Sequence, residues 1–168
     1  GVDLVGHLDI SFTMVGPAKA GAFRSRGHIR AIWLTDANNK FVRTLDYHAS
    51  KRAQYLLRFN SFAQKSIDGT TGATDKSLSA SLPVSASWDL KDKSGAAMKT
   101  GSYKIWFEMA EGNLSGPPLA PLDMTQAIDS QSGYAFHMVP ILLGAEDTKI
   151  SDSKSPVFTS LSIHHRLD

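Results

Sequence analysis

Val84-Ser85-Ala86-Ser87-Trp88-Asp89-Leu90, then Ser102-Tyr103-Lys104-Ile105-Trp106-Phe107-Glu108-Met109, is the stretch whose reading decides the fold. Val84, Ala86, Trp88 and Leu90 alternate with Ser85, Ser87 and Asp89. Tyr103, Ile105, Phe107 and Met109 alternate with Ser102, Lys104, Trp106 and Glu108. A period of two puts one set of side chains on a core and the other toward water or a neighbour. Between the runs lies a charged segment, Lys91 to Gly101, in which Gly95 and Gly101 suit turn positions with φ > 0. The stretch therefore predicts a β-hairpin from Val84 to Met109.

Upstream, Leu8, Ile10, Phe12 and Met14 alternate with polar residues and predict a half-buried first strand. Gly16 to Gly27 is a turn or long loop carrying three basic residues. His28 to Asp36 predicts a second strand with both faces covered, because Ile29, Ala31 and Trp33 share one face and Ile32 and Leu34 the other. Asp36 to Lys40 is a turn, and Phe41 to Tyr47 returns as a third strand. From Ser50 to Lys65 the period changes. Tyr55, Leu56, Phe59 and Phe62 fall at helical spacing, and Ser50 is suited to cap an amphipathic helix packed by its aromatic side.

Downstream, Gly112 to Pro121 is a Gly/Pro-rich loop, and Gln126 to Ser132 carries no pattern. Tyr134 to Leu143 is an apolar strand in which Pro140 points to an edge or a bulge. Gly144 to Ser155 is a charged loop, and Val157 to His165 the last strand, with Val157, Thr159, Leu161 and Ile163 on one face. The sum is a mainly β chain: an antiparallel Ig-like β-sandwich of about seven to eight strands with one inserted amphipathic helix, in one domain over residues 1–168.

Composition narrows the function. The chain is 42% hydrophobic and 20% charged, ordinary for a globular protein. No apolar run approaches the ~18 residues of a membrane span. The absence of Cys excludes disulfides, thiolate zinc sites and thiol catalysis. A net charge of +2 argues against nucleic acid as a partner. Residues 1–60 carry nine Lys/Arg against four Asp/Glu, a difference of +5. The remainder carries nine against twelve, or −3. This is read as an unevenly charged solvated surface, or as a basic patch for an anionic group such as a phosphate. Gly1 has the look of a processed end, compatible with a removed export signal.

Two resemblances bear on the fold. Trp88-Asp89-x-x-Asp92-x-x-Gly95 … Gly101-x-Tyr103 resembles a motif of immunoglobulin-like modules in secreted and cell-envelope bacterial proteins, such as that of the flagellar hook-capping protein. More widely, the chain resembles the periplasmic proteins grouped as domain of unknown function 2271. The resemblance rests on the first strand, His28-Ile29-Arg30-Ala31-Ile32-Trp33-Leu34-Thr35-Asp36, Phe41-Val42-Arg43-Thr44-Leu45, the aromatic helix, the Asp68–Thr74 loop and the Trp88/Tyr103 hairpin. It implies an exported, periplasmic bacterial protein and assigns no activity.

A third resemblance bears on chemistry. Asp68-Gly69-Thr70-Thr71-Gly72-Ala73-Thr74 matches Asp-x-x-Ser/Thr-Gly-Ala-Thr, found in covalently flavinylated subunits of bacterial respiratory complexes. There a flavin transferase joins the phosphate of FMN to the last Thr through a phosphodiester. The resemblance implies Thr74 as attachment residue, with Asp68, Thr71, Gly72 and Ala73 shaping the loop. The residue types suit that chemistry. Gly72 and Ala73 leave room for close approach, and Asp68 and Thr71 can hydrogen-bond nearby backbone. Thr74 alone is a weak nucleophile and needs a base supplied by the transferase. Lys65 and Lys76 flank the loop and would offset the phosphodiester charge, and Trp106 is a candidate cover for the flavin ring. The expectation is an extracytoplasmic electron carrier rather than an enzyme, with room for a membrane-bound redox partner. The alternative is a cofactor-free binding or structural module of the cell envelope.

Other chemistry finds little support. His7, His28, His48, His137, His164 and His165 show no metal-ligand spacing, and the adjacent His164 and His165 must point to opposite faces of a strand. Gly-x-Ser-x-Gly, phosphate loops and dinucleotide fingerprints are absent. Asp89 and Asp92 read as turn and strand-end residues. Trp33, Trp88 and Trp106 would form a carbohydrate platform only if exposed, and core packing is expected for at least two.

Overall fold

The computed structural model describes residues 1–15, 28–49, 54, 56–63, 71–72, 81–111, 128–130 and 134–168. Their strands are β1 (His7–Val15), β2 (His28–Asp36), β3 (Phe41–His48), β4 (Thr71–Gly72), β5 (Ser81–Trp88), β6 (Gly101–Glu111), β7 (Ile128–Ser130), β8 (Tyr134–Leu143), β9 (Thr148–Asp152) and β10 (Phe158–Arg166). One helix, α1 (Leu57–Ala63), lies between β3 and β4. The strands form two sheets, ordered β5-β1-β10-β9 and β4-β3-β2-β6-β8-β7. All pairings are antiparallel except β3 with β4. The fold is the expected β-sandwich.

The alternating faces account for the two layers. Leu8, Ile10, Phe12 and Met14 of β1 meet Ile32 and Leu34 of β2 and Ile105 and Phe107 of β6 in one buried cluster. Phe12 stands edge-on to Phe107 and to Phe158 at 5.7 and 5.6 Å between ring centres, a favoured aromatic geometry. The outer face of the six-stranded sheet is apolar too. Ile29, Ala31, Trp33, Tyr47, Trp106, Tyr134 and Phe136 form a second cluster there, closed by Leu56 and Phe59. Covered on both faces, β2 reads as a nearly continuous apolar run, as its sequence predicted.

The expected hairpin from Val84 to Met109 is not formed. β5 pairs with β1 in one sheet, and β6 pairs with β2 and β8 in the other. Residues 89–100 instead arch across the sandwich. Leu90, buried in the core at φ 62°, turns the chain out of β5. Asp92 then organises a small turn: its carboxylate accepts from the amides of Ser94 and Ala96, and Gly95 sits at φ 90°. The amides of Leu4 and Thr100 bond the carbonyls of Met98 and Val2, tying the arch to the amino-terminal residues. The Tyr103 hydroxyl donates to the Lys99 carbonyl four residues upstream, the tyrosine corner of immunoglobulin-like sandwiches. The stretch from Trp88 to Tyr103 thus forms an arch from one sheet to the other. The sandwich shares that architecture with its own strand order, since its first and second strands lie in opposite sheets.

Four further boundaries differ from expectation. The described helix covers Leu57–Ala63, shorter than Ser50 to Lys65, and Ser50, Tyr55 and Lys65 fall outside the described residues. Amides of its first turn are accepted by a distant carboxylate, as detailed below. The segment expected as a charged loop contains β9, which pairs with β10, and the patternless stretch contains β7, which pairs with the start of β8. In β10, Ser160 at φ 52° forms a bulge opposite β1, so Phe158 rather than Thr159 enters the core. Pro140 lies beyond the reach of β7, where β8 has only β6 beside it among the described residues, an edge position as expected. The loops 16–27 and 112–121 lie outside the described residues. No helix among the described residues is long and apolar enough to cross a membrane.

Candidate functional site at the rim of the six-stranded sheet

Of the flavin-type motif, Thr71 and Gly72 are described and form β4. Asp68, Ala73 and Thr74, with Lys65 and Lys76, lie outside the described residues. β4 runs parallel to β3 at the margin of the six-stranded sheet, with Thr71 opposite Tyr47 and Gly72 opposite His48. The central residues of the motif are therefore joined to β3 by backbone pairing.

β3, beside β4, and β2, the next strand in, share a charged group. Arg30 Nε donates to Asp46 Oδ2 at 2.8 Å, and both side chains are more than nine-tenths buried. The other carboxylate oxygen, Oδ1, faces His48 Nε2 at 3.4 Å, and His48 is one-quarter exposed. The antiparallel register creates this grouping by setting Arg30 opposite His48 and Ile32 opposite Asp46. Sequence reading named His48 only as one of six histidines and did not connect it with Arg30 or Asp46. The signal was weak: Arg30 and Asp46 are each one of several polar residues in β2 and β3, and nothing local pairs them. Tyr47, whose phenol is pushed above its ordinary pKa by burial, fills the neighbouring position on the outer face, 5.2 Å from Phe59.

Trp106 is not available to cover a flavin. It is fully buried between Trp33, Phe136 and Phe62, at 6.1, 5.6 and 4.7 Å between ring centres, and its Nε1 donates to the Thr35 hydroxyl. Trp33 and Trp88 are buried as well, so the carbohydrate platform does not exist. The face of β6 opposite the sandwich core was expected to meet water or a neighbour. It meets α1 and the flanking strands.

That face holds a second polar group, which sequence reading missed. Glu108, fully buried, accepts hydrogen bonds from the amides of Arg58 and Phe59 in the first turn of α1 at 3.0 and 2.8 Å, and from the Tyr134 hydroxyl. Arg58, also buried, donates to the Tyr134 oxygen at 2.7 Å, and its guanidinium lies over the rings of Tyr134 and Phe136. Loss of hydration pushes the Glu108 carboxyl up to about 7 despite these donors. Burial, and then the Glu108 charge, push the Tyr134 phenol upward too. The only sequence signal was an acid at an alternating position between apolar neighbours.

Four further histidines each have a named partner. His7 bonds Asp168, His164 bonds Asp147, His137 bonds Asp152 across the two sheets at 3.2 Å, and the buried His165 bonds the Val5 carbonyl. His164 and His165 do face opposite ways: one is partly exposed and the other sealed in the core. Among the described residues no group of three His, Cys, Asp or Glu could hold a metal ion. A cavity of about 210 Å³ opens between β3 and β5, lined by His7, Arg43, Thr44, Trp88 and Asp89. Its Arg43 is committed to Asp89 and the carbonyls of Lys91 and Asp92.

Geometry thus defines the class, a β-sandwich with a buried ion pair between β2 and β3 and an anchored helix on one sheet. Comparison of the chain with family models, with curated proteins and with solved structures found no match.

Proposed function

We propose that this protein is an exported bacterial electron carrier that holds FMN on Thr74 through a phosphodiester. The reading rests on the agreement of Asp68, Thr71, Gly72, Ala73 and Thr74 with the flavinylation motif. The observation that supports it best is β4. Thr71 and Gly72, in the middle of the motif, run along the margin of the six-stranded sheet opposite Tyr47 and His48 of β3. A phosphodiester keeps one negative charge, and the ring of His48, opposite Gly72 in the β3–β4 pairing, can donate a hydrogen bond to such a group.

In the attachment step the Thr74 hydroxyl oxygen forms the new bond to phosphorus as the bond to the donor's leaving group breaks. With a flavin dinucleotide as donor, that group departs as the nucleoside monophosphate. The hydroxyl proton passes to a base of the transferase, since Thr alone is a weak nucleophile. The flavin would then carry the electrons while the protein positions it and its charge. Periplasmic location and a membrane-bound redox partner belong to the same proposal.

The test is co-expression with a flavin transferase, followed by denaturation and intact mass. The expected product is yellow, stays coloured when unfolded, and carries one FMN, whereas Thr74→Ala is colourless. A Thr74→Ala variant that still carries covalent flavin, or native protein from its own host without flavin, refutes the reading. The second result would favour a cofactor-free envelope module.

A further inference from the structure

The cavity of about 210 Å³ opens where β3 of one sheet passes β5 of the other. Its apolar lining is Leu45 and Trp88, both otherwise buried. Its polar lining comes from separate elements: Arg43 from β3, His7 from β1, Ser87 from β5 and Asp89 just after it. These groups are only partly used. All three Arg43 bonds leave from Nη1, and Asp89 accepts from Arg43 and from the Lys91 amide through Oδ1. Nε and Nη2 of Arg43 and Oδ2 of Asp89 make no hydrogen bond with the described residues. Ser87 donates to Asp9, so its oxygen can still accept, and His7 meets Asp168 through Nδ1, which leaves Nε2.

The spare groups are donors and acceptors around one cavity, without a surplus of either charge. Arg43 stands 3.4 Å from Asp89, and the carboxylates of Asp9 and Asp168 answer Arg166 and His7 beside them. An anion would meet these carboxylates and a cation the guanidinium, and like charges set together are costly. We propose that the cavity is a binding site for one neutral sugar unit. Each sugar hydroxyl both donates and accepts, so neighbouring hydroxyls can take the Arg43 fork and give to Asp89, with the ring's C–H groups on Leu45 and Trp88. The volume is that of roughly seven waters, which suits one sugar ring rather than two. Trp88 offers no open ring face, so binding is weak, with a dissociation constant on the order of 1–10 mM. The inference does not rest on flavin attachment.

NMR titration of the isotope-labelled full chain with glucose, galactose and N-acetylglucosamine tests this, with glycine and phosphate as charged controls. At least one sugar should saturably shift the Leu45, Ser87 and Asp89 amides and the Trp88 indole N–H, with a constant in that range. Glycine and phosphate should leave them in place. Ser87→Leu puts a larger side chain in the cavity from an exposed strand position and should weaken sugar binding at least about tenfold. Arg43→Lys keeps the charge but loses the fork, and should weaken it as well. No saturable shift with any of the three sugars, or shifts confined to other parts of the molecule, would overturn the proposal. So would tighter binding of glycine or phosphate than of any sugar, or a folded Ser87→Leu variant that binds sugar as the parent does. The wild-type titration decides it even if a variant does not fold.

Discussion

Asp46 shows what a single buried charge does in this protein. Its carboxylate holds Arg30 at 2.8 Å with both side chains almost out of water, so removing either partner strands the other. Asp46→Ala is expected to cost about 3–5 kcal/mol, read as a lower urea midpoint at unchanged slope. Replacing both Arg30 and Asp46 with Leu should recover most of that loss, because the desolvation cost disappears with the pair. A double variant as unstable as the single one would show that the pair acts through something other than its charges. At this scale the sequence is least legible. Arg30, Asp46 and Glu108 each stand in an alternating pattern, and nothing local says whether such a residue meets water, a counter-charge or a helix end.

Among the elements, the arch from Trp88 to Gly101 depends on a few backbone devices. Tyr103→Phe removes the hydroxyl that bonds the Lys99 carbonyl and should cost about 0.5–1.5 kcal/mol. Gly95→Ala meets open space, yet it forces a Cβ into the left-handed region at φ 90°, and about 1–2 kcal/mol is expected. Thermal denaturation of both variants measures these losses; a Gly95→Ala variant as stable as the parent would exclude strain at the turn. The strands themselves were legible. Tyr103, Ile105 and Phe107 face the core as their alternation requires, and β2 begins and ends where its apolar run does. Their pairing was not. Two strands facing one core from opposite sheets carry the same alternation as two strands paired side by side, so the hairpin and the arch look alike along the chain.

Across the molecule, the first and last long strands lie together in the middle of one sheet, since β1 and β10 pair and have β5 and β9 outside them. A chain ending at Ser155 would lose β10, leaving β1 and β9 without their shared partner and removing Phe158, Leu161 and Ile163 from the core. Such a chain is expected to show no cooperative unfolding transition, whereas a chain that stops after Arg166 should keep one. Calorimetry of the two truncations decides it, and a cooperative transition in the shorter chain would mean that β10 is dispensable to the core. The amino-acid sequence by itself determined which face of most strands turns inward, the turn at Asp36–Lys40, the β-sandwich class and the motif around Thr74. These follow from local periodicity and residue chemistry. Which strands share a sheet, the Arg30–Asp46–His48 group between β2 and β3 and the capping of α1 by Glu108 were decided only in the tertiary structure. They depend on contacts between positions far apart in the chain, whose geometry no local pattern encodes.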